Sequence, residues 1–135
     1  MSYLLDTNAC IRYLNSRNNP ILHRLNLLSS DDVFLCDIVK FELYYGAYKS
    51  QNKDKNLASL ETFFDEFVSL PFDGRAADIC GRIRSELNKK GTPIGVYDLQ
   101  IAAIAIANNL VLVTHNVGEF SRVEGLKYED WEIVL

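Results

Sequence analysis

Residues Leu99 to Ala107 read Leu-Gln-Ile-Ala-Ala-Ile-Ala-Ile-Ala, with one polar side chain in nine. A helix of this composition has no wet face to offer, so it must be surrounded by protein on nearly every side. The run is too short to cross a bilayer. The spacing predicts a helix from about Tyr97 to just before Leu110, where Asn108-Asn109 supplies a C-terminal stop. A chain that buries such a helix needs layers around it. Four short apolar runs read as buried strands: Tyr3–Leu5, Val33–Leu35, Leu110–Val113 and Trp131–Val134. A weaker one spans Val68–Phe72, where Pro71 indicates a sheet edge.

Helical spacing fills the intervals. Ile38, Phe41, Tyr45 and Tyr48 recur at i, i+3, i+7 and i+10, and are expected to form an apolar stripe. Further helices are expected over about Leu57–Phe67 and Arg75–Lys89. Asn52-Lys53-Asp54-Lys55 and Gly91-Thr92-Pro93-Ile94-Gly95 read as loops. Strands alternating with helices imply crossover connections and a mainly parallel sheet covered on both faces. Ligands in such folds bind beyond the carboxyl ends of the strands. With 135 residues, no repeats and no composition break, residues 1–135 are expected to form a single domain.

Three carboxylates stand where the pattern calls for apolar residues. Asp6 closes the first strand, at the edge where ligands bind, although it could instead cap the helix opening at Asn8–Ile11. Glu42 falls on the Ile38–Tyr45 side of its helix, where an ionised group needs a structural Arg or Lys, or a metal ion. Asp98 stands in the first turn of the apolar helix, where the dipole alone favours an anion. Three acids from three elements at one sheet edge suit a hard, oxygen-loving cation such as Mg²⁺ or Mn²⁺. Such an ion fits phosphodiester chemistry. Like charges held this close predict a raised pKa for at least one of them in the ion-free protein.

Other chemistries find no support. There is no GxxxxGK[ST] loop, no GxGxxG after a strand and no GxSxG elbow. Cys10, Cys36 and Cys80 are too widely spaced for a zinc site with either histidine, and are expected to be reduced, buried thiols. His23 and His115 read as surface residues. The start Met-Ser-Tyr-Leu-Leu-Asp shows no secretory pattern, so a cytoplasmic location is expected. The net charge of −4 argues against a general nucleic-acid binder. A local basic strip drawn from Arg12, Arg17, Lys49, Lys53, Lys55, Arg82, Lys89 and Lys90 is compatible with it. A phosphatase or phosphoacceptor domain would place a second acid beside Asp6, where this chain has Thr7-Asn8.

Leu4-Leu5-Asp6-Thr7-Asn8, then Phe41-Glu42-Leu43-Tyr44-Tyr45-Gly46, then Ile94-Gly95-Val96-Tyr97-Asp98-Leu99-Gln100-Ile101-Ala102-Ala103, resemble in order and spacing the PIN domain. The likeness is to its VapC-type toxin ribonucleases and covers essentially the whole chain. It implies a PIN-like three-layer α/β fold, with a five-stranded sheet of order 3-2-1-4-5 and helices on both faces. It implies an endoribonuclease dependent on Mg²⁺ or Mn²⁺, with Asp6, Glu42 and Asp98 as acidic metal ligands and catalytic residues. Many relatives carry a fourth acid after the fourth strand; here Asn116 stands in that region, and Glu119 is the nearest acid. Glu119 could equally be a solvated loop acid. Thr7 is positioned to support a neighbouring carboxylate, or is a turn residue. The implied partners are a cognate VapB-like antitoxin and structured RNA, with tRNA cut in the anticodon stem-loop foremost. The aromatics Tyr44, Tyr45, Tyr48, Phe63, Phe64 and Phe67 exceed what a core of this size hides, which points to an antitoxin groove or a homodimer contact. The alternative is a catalytically silent PIN-like binding or scaffold module, but such a module has no reason to keep like charges buried together.

Overall fold

The computed structural model describes residues 1–15 and 19–133. Five parallel strands form one sheet in the order β3-β2-β1-β4-β5: β1 (Tyr3–Leu5), β2 (Val33–Cys36), β3 (Val68–Leu70), β4 (Val111–Val113) and β5 (Tyr128–Glu129). Tyr3 of β1 pairs with Val33 on one side and Val111 on the other. In the central strands consecutive residues are buried alike, Leu4 and Leu5 in β1 and all three residues of β4. Neighbouring strand residues point to opposite faces, so both faces are covered. β3 is an edge strand, as Pro71 suggests. The fifth strand lies earlier than Trp131–Val134: Trp131 is buried beyond it, edge-on to Tyr3 with ring centroids 5.1 Å apart. Val134 lies outside the described residues.

The connecting helices are α1 (Thr7–Asn15), α2 (Pro20–Asn26), α3 (Asp37–Lys49), α4 (Lys53–Asp65), α5 (Gly74–Lys89), α6 (Val96–Ala107) and the short α7 (Val117–Phe120). Among the described residues no helix is long and apolar enough to cross a membrane. α6 is the buried helix its composition demands: Leu99, Ile101–Ala105 and Ala107 are all buried. It ends where expected. Asn109 adopts φ 54°, and the amides of Asn109 and Leu110 turn back to the carbonyls of Ile106 and Ala105. This left-handed stop suits Asn and Gly because their small or polar side chains tolerate it. α5 ends in the same way on Gly91 (φ 71°).

Two expectations need correction. Asn52-Lys53-Asp54-Lys55 is not a loop, because α4 already starts at Lys53. The buried face of α3 is Val39–Leu43–Ala47, whereas Phe41, Tyr45 and Tyr48 are 48 %, 60 % and 62 % exposed. Aromatic spacing along α3 resembles a core stripe, but the i, i+4, i+8 row of smaller side chains is the one that meets the neighbouring elements. Phe63, by contrast, is core, with Phe64 and Phe67 against its ring and Tyr44 edge-on to Phe64. Cys10 and Cys36 are buried and free, and Cys80 is free but half-buried.

Candidate metal centre

The strand order reverses at β1. From there the chain builds outward through β2 and β3, then returns to the other side of β1 for β4 and β5. The crevice beyond the carboxyl ends of β1 and β4 is where such a sheet binds ligands. Asp6 and Thr114 are the residues immediately following those two strands.

Asp6 is 4 % exposed. Its Oδ1 accepts the amide of Ala9 at 2.8 Å, so the helix-cap reading holds for one oxygen, and the Thr114 hydroxyl also bonds the carboxyl. Burial is the main reason its pKa rises to about 6, with smaller pushes from Glu132 and Glu42. Glu42 projects from the middle of α3 and is half-buried. Among the described residues no Arg or Lys forms an ion pair with it. Its Oε1 instead accepts the Thr7 hydroxyl at 2.7 Å. Thr7 thus ties the start of α1 to the acid on α3.

Asp98 sits three residues past Gly95, which caps α6. An acid there ordinarily reaches back to the capping amide. Here that amide is taken by Glu119 Oε1 at 2.8 Å, and Asn116 Nδ2 donates to Glu119 Oε2 at 2.6 Å. Both hydrogen bonds lower the pKa of Glu119. Asp98 is left facing the other acids, and its pKa rises to about 6 through burial, then the charges of Glu119, Asp6 and Glu42. The two carboxyls shift in opposite directions, Asp98 upward and Glu119 downward. Like-charge repulsion was the expected cause of raised pKa values; it contributes, but desolvation leads for both Asp6 and Asp98.

Asp6, Glu42, Asp98 and Glu119 therefore feel one another, with Asn116 and Thr7 hydrogen-bonded to members of the set. Gly95 stands where a methyl group would touch both Asp98 Oδ2 (3.7 Å) and Glu119 Oε1 (3.8 Å), so its bare backbone leaves that corner open. The donor set is all oxygen. The nearby thiols are unavailable: burial pushes Cys36 up to about 11 and Cys10 well above its ordinary value. This chemistry fits a hard divalent cation, not a thiolate-bound zinc. The acids are spread more widely than a closed cage. Among the described residues, the only group of three or more ligating side chains with donor atoms all within 4.8 Å of one another is His115, Asp130 and Glu132, next door. A wide oxygen set matches Mg²⁺, which keeps part of its water shell.

The reading of His115 as a bare surface residue was incomplete: it is exposed, yet its Nδ1 lies 2.9 Å from Asp130 Oδ2. No sequence spacing signals that contact across 15 positions. Of the described basic residues proposed for a strip, three have partners of their own. Arg82 pairs with Glu86 on α5, Lys49 lies over the Tyr45 ring, and Arg12 pairs with Glu132. Arg17 lies outside the described residues.

Known proteins carry the same architecture. The family model for the PIN domain matches residues 3–126. The chain is 42 % identical over 131 residues to the tRNA(fMet)-specific endonuclease VapC of Salmonella typhimurium, covering 97 % of this chain and 98 % of that one. It is 38 % identical over 133 residues to the Ribonuclease VapC2 of Rickettsia felis, at 98 % and 99 % coverage. Its structure superposes on DNA-bound VapBC from Salmonella typhimurium with a TM-score of 0.92, 42 % identity and 97 % and 98 % coverage. It superposes on VapBC2 from Rickettsia felis bound to a promoter DNA fragment with a TM-score of 0.91, 37 % identity and 97 % and 99 % coverage. With the switch-point crevice, the sheet order and near-complete coverage in agreement, the chain belongs to the PIN-domain family, as a VapC-type toxin ribonuclease.

Proposed function

We propose that residues 1–135 act as one Mg²⁺- or Mn²⁺-dependent endoribonuclease domain that cuts structured RNA, with tRNA in the anticodon stem-loop as the preferred target. The single observation carrying this reading is the set of buried and half-buried carboxylates at the switch point: among the described residues Asp6, Glu42 and Asp98 have hydrogen bonds or neighbouring acids but no ion pair with a basic side chain. Asp6, Glu42 and Asp98 would hold the ion, with Glu119 closing the fourth side. The ion, when bound, orients the attacking water and neutralises charge on the phosphate.

The remaining work belongs to the chain's own groups. Asp6, fixed by the Ala9 amide and Thr114, offers a carboxylate that cannot swing away. The Thr7 hydroxyl fixes one lobe of Glu42 and leaves the other for the site. Glu119, clamped by Gly95 and Asn116, steadies Asp98. The tRNA reading rests on the resemblance to the Salmonella typhimurium endonuclease, and on anticodon loops exposing unstacked bases and a kinked backbone.

The partner in this reading is an antitoxin of the VapB type. A groove of about 530 Å³ between α1, α3 and α4, lined by Ile11, Leu14, Leu43, Ala47 and Leu60, runs up to Glu42. An apolar segment laid there would end at the metal centre and block it. The exposed Phe41, Tyr45 and Tyr48 face of α3 suits a second copy of the chain. Free thiols suit the cytoplasm. The silent-module alternative predicts no turnover. Incubation of labelled tRNA with the purified chain, with Mn²⁺ and with EDTA, decides: cleavage that EDTA abolishes supports the proposal, and full activity in EDTA overturns it.

A further inference from the structure

The site has a neighbour that the proposed reaction does not use. A cleft of about 510 Å³ runs between α1 and the segment joining β4 to α7, lined by Asn8, Arg12, Asn15, His115, Asn116 and Glu132. It adjoins the metal centre, because Asn8 lies two residues beyond Asp6 and Asn116 donates to Glu119. Beneath it lie two largely buried carboxylates, Asp130 and Glu132, whose side chains are 8 % and 17 % exposed.

These acids hold two outward-facing donors. Asp130 Oδ1 accepts the Glu132 amide at 2.9 Å, while Oδ2 meets His115 Nδ1 at 2.9 Å. Glu132 Oε1 meets Arg12 Nε at 3.2 Å, and Oε2 lies 3.8 Å from His115 Nδ1. Each donor is gripped through one nitrogen only. The two terminal nitrogens of Arg12 and Nε2 of His115 have no partner among the described residues. The side chains are 57 % and 65 % exposed, yet aimed by what lies under them. A divalent cation at His115, Asp130 and Glu132 would have to displace the guanidinium from Glu132, whereas the unpaired terminal nitrogens of Arg12 are open to an anion.

We propose that this cleft is a phosphate-binding subsite for the substrate strand. Arg12 and His115 grip a backbone phosphate displaced along the RNA from the one that is cut. The inference rests on the RNA-cleavage reading of the neighbouring centre. A guanidinium held by Nε presents its terminal fork to a phosphate, a geometry an ammonium cannot reproduce. The amides of Asn8, Asn15 and Asn116 supply donors and acceptors to sugar hydroxyls and base edges without a sign of charge. In a chain of net charge −4, binding must come from such local placement of donors.

The test uses the full chain carrying Asp98→Asn, so that RNA is not cut, and a short fluorescent single-stranded RNA titrated across a salt series. Arg12→Ala should weaken binding about tenfold and lower the slope of log Kd against log salt by about 0.7. Arg12→Lys should restore the slope but only part of the affinity. His115→Ala should weaken binding a few-fold. Glu132→Gln keeps a carbonyl oxygen to hold Arg12 Nε while removing one negative charge beneath the cleft, so RNA should bind at least as tightly. If Glu132→Gln weakens RNA as much as Arg12→Ala does, Arg12 merely holds the C-terminal segment and the proposal fails. It fails equally if Arg12→Ala leaves affinity and slope unmoved, or impairs only the capture of the antitoxin encoded by the adjacent gene. Cleavage by the unsubstituted chain with Mn²⁺ is read separately. Its absence would remove the nuclease reading while the salt slope still judges the subsite.

Discussion

Replacing Asp6 by Asn should make the ion-free protein more stable at neutral pH while destroying its activity. Asp6 is 4 % exposed, and its pKa rises from 3.8 to about 6, chiefly through burial. The native state therefore binds a proton that the unfolded chain has already released between those two values. Stability is fullest below pH ~4 and is lost as pH climbs through about 6. At about 1.4 kcal/mol per pKa unit, the ionised carboxylate costs the fold about 3 kcal/mol at pH 7.5. Asn removes the charge and keeps an oxygen for the Ala9 amide. If its bond with Thr114 is lost, about 1 kcal/mol is forfeited, leaving a gain of roughly 2 to 3 kcal/mol. At about 2.1 cal/mol/K per residue over this length, that gain raises Tm by roughly 7 to 10 °C. At pH 4 the native carboxyl is already protonated and the gain should fall below about 1 kcal/mol. Thermal melts of both proteins in EDTA at pH 4 and pH 7.5 measure this. A variant that melts below the parent at pH 7.5, or gains as much at pH 4, would refute the reasoning and leave Asp6 as a helix cap alone.

Five further outcomes are expected. Glu42→Gln and Asp98→Asn should each cut RNA cleavage by orders of magnitude on labelled tRNA. Asp98→Asn should also raise the ion-free Tm at neutral pH and shrink the stabilisation by Mn²⁺, which for the parent is about 2.7 kcal/mol at a hundredfold excess over Kd. Mn²⁺ binding should release protons near pH 5.5, where Asp98 and Asp6 are largely protonated, and almost none at pH 8. Calorimetry in two buffers of different ionisation enthalpy reads that difference. Glu119→Ala removes the acceptor of the Gly95 amide and should cost about 1 kcal/mol in thermal stability, whereas Asn109→Gly at φ 54° should be neutral or slightly stabilising.

The candidate site was only partly legible along the chain. Asp6 and Asp98 announced themselves because each interrupts an apolar run at an element boundary, and boundaries of βα units fall at one sheet edge. Glu42 was singled out for a partly wrong reason. The stripe it was assigned to is solvent-exposed over Phe41, Tyr45 and Tyr48, and its environment comes from the α1–α3 approach that brings Thr7 to its carboxylate. The part played by Glu119 could not be read from spacing, since its partner Gly95 is 24 positions away.

Composition and periodicity determined that a helix without a polar face must be central, that short apolar strands alternating with helices must lie parallel, and that acids at their ends must share an edge. These follow from local rules: side-chain period, solvation and the handedness of crossovers. Which face of α3 is buried, where the fifth strand lies, how Glu119 comes to cap α6 and how Asp130 and Glu132 aim His115 and Arg12 were decided only by the tertiary structure. Each depends on contacts between segments far apart in the chain, and pairwise packing of that kind leaves no periodic trace in the sequence.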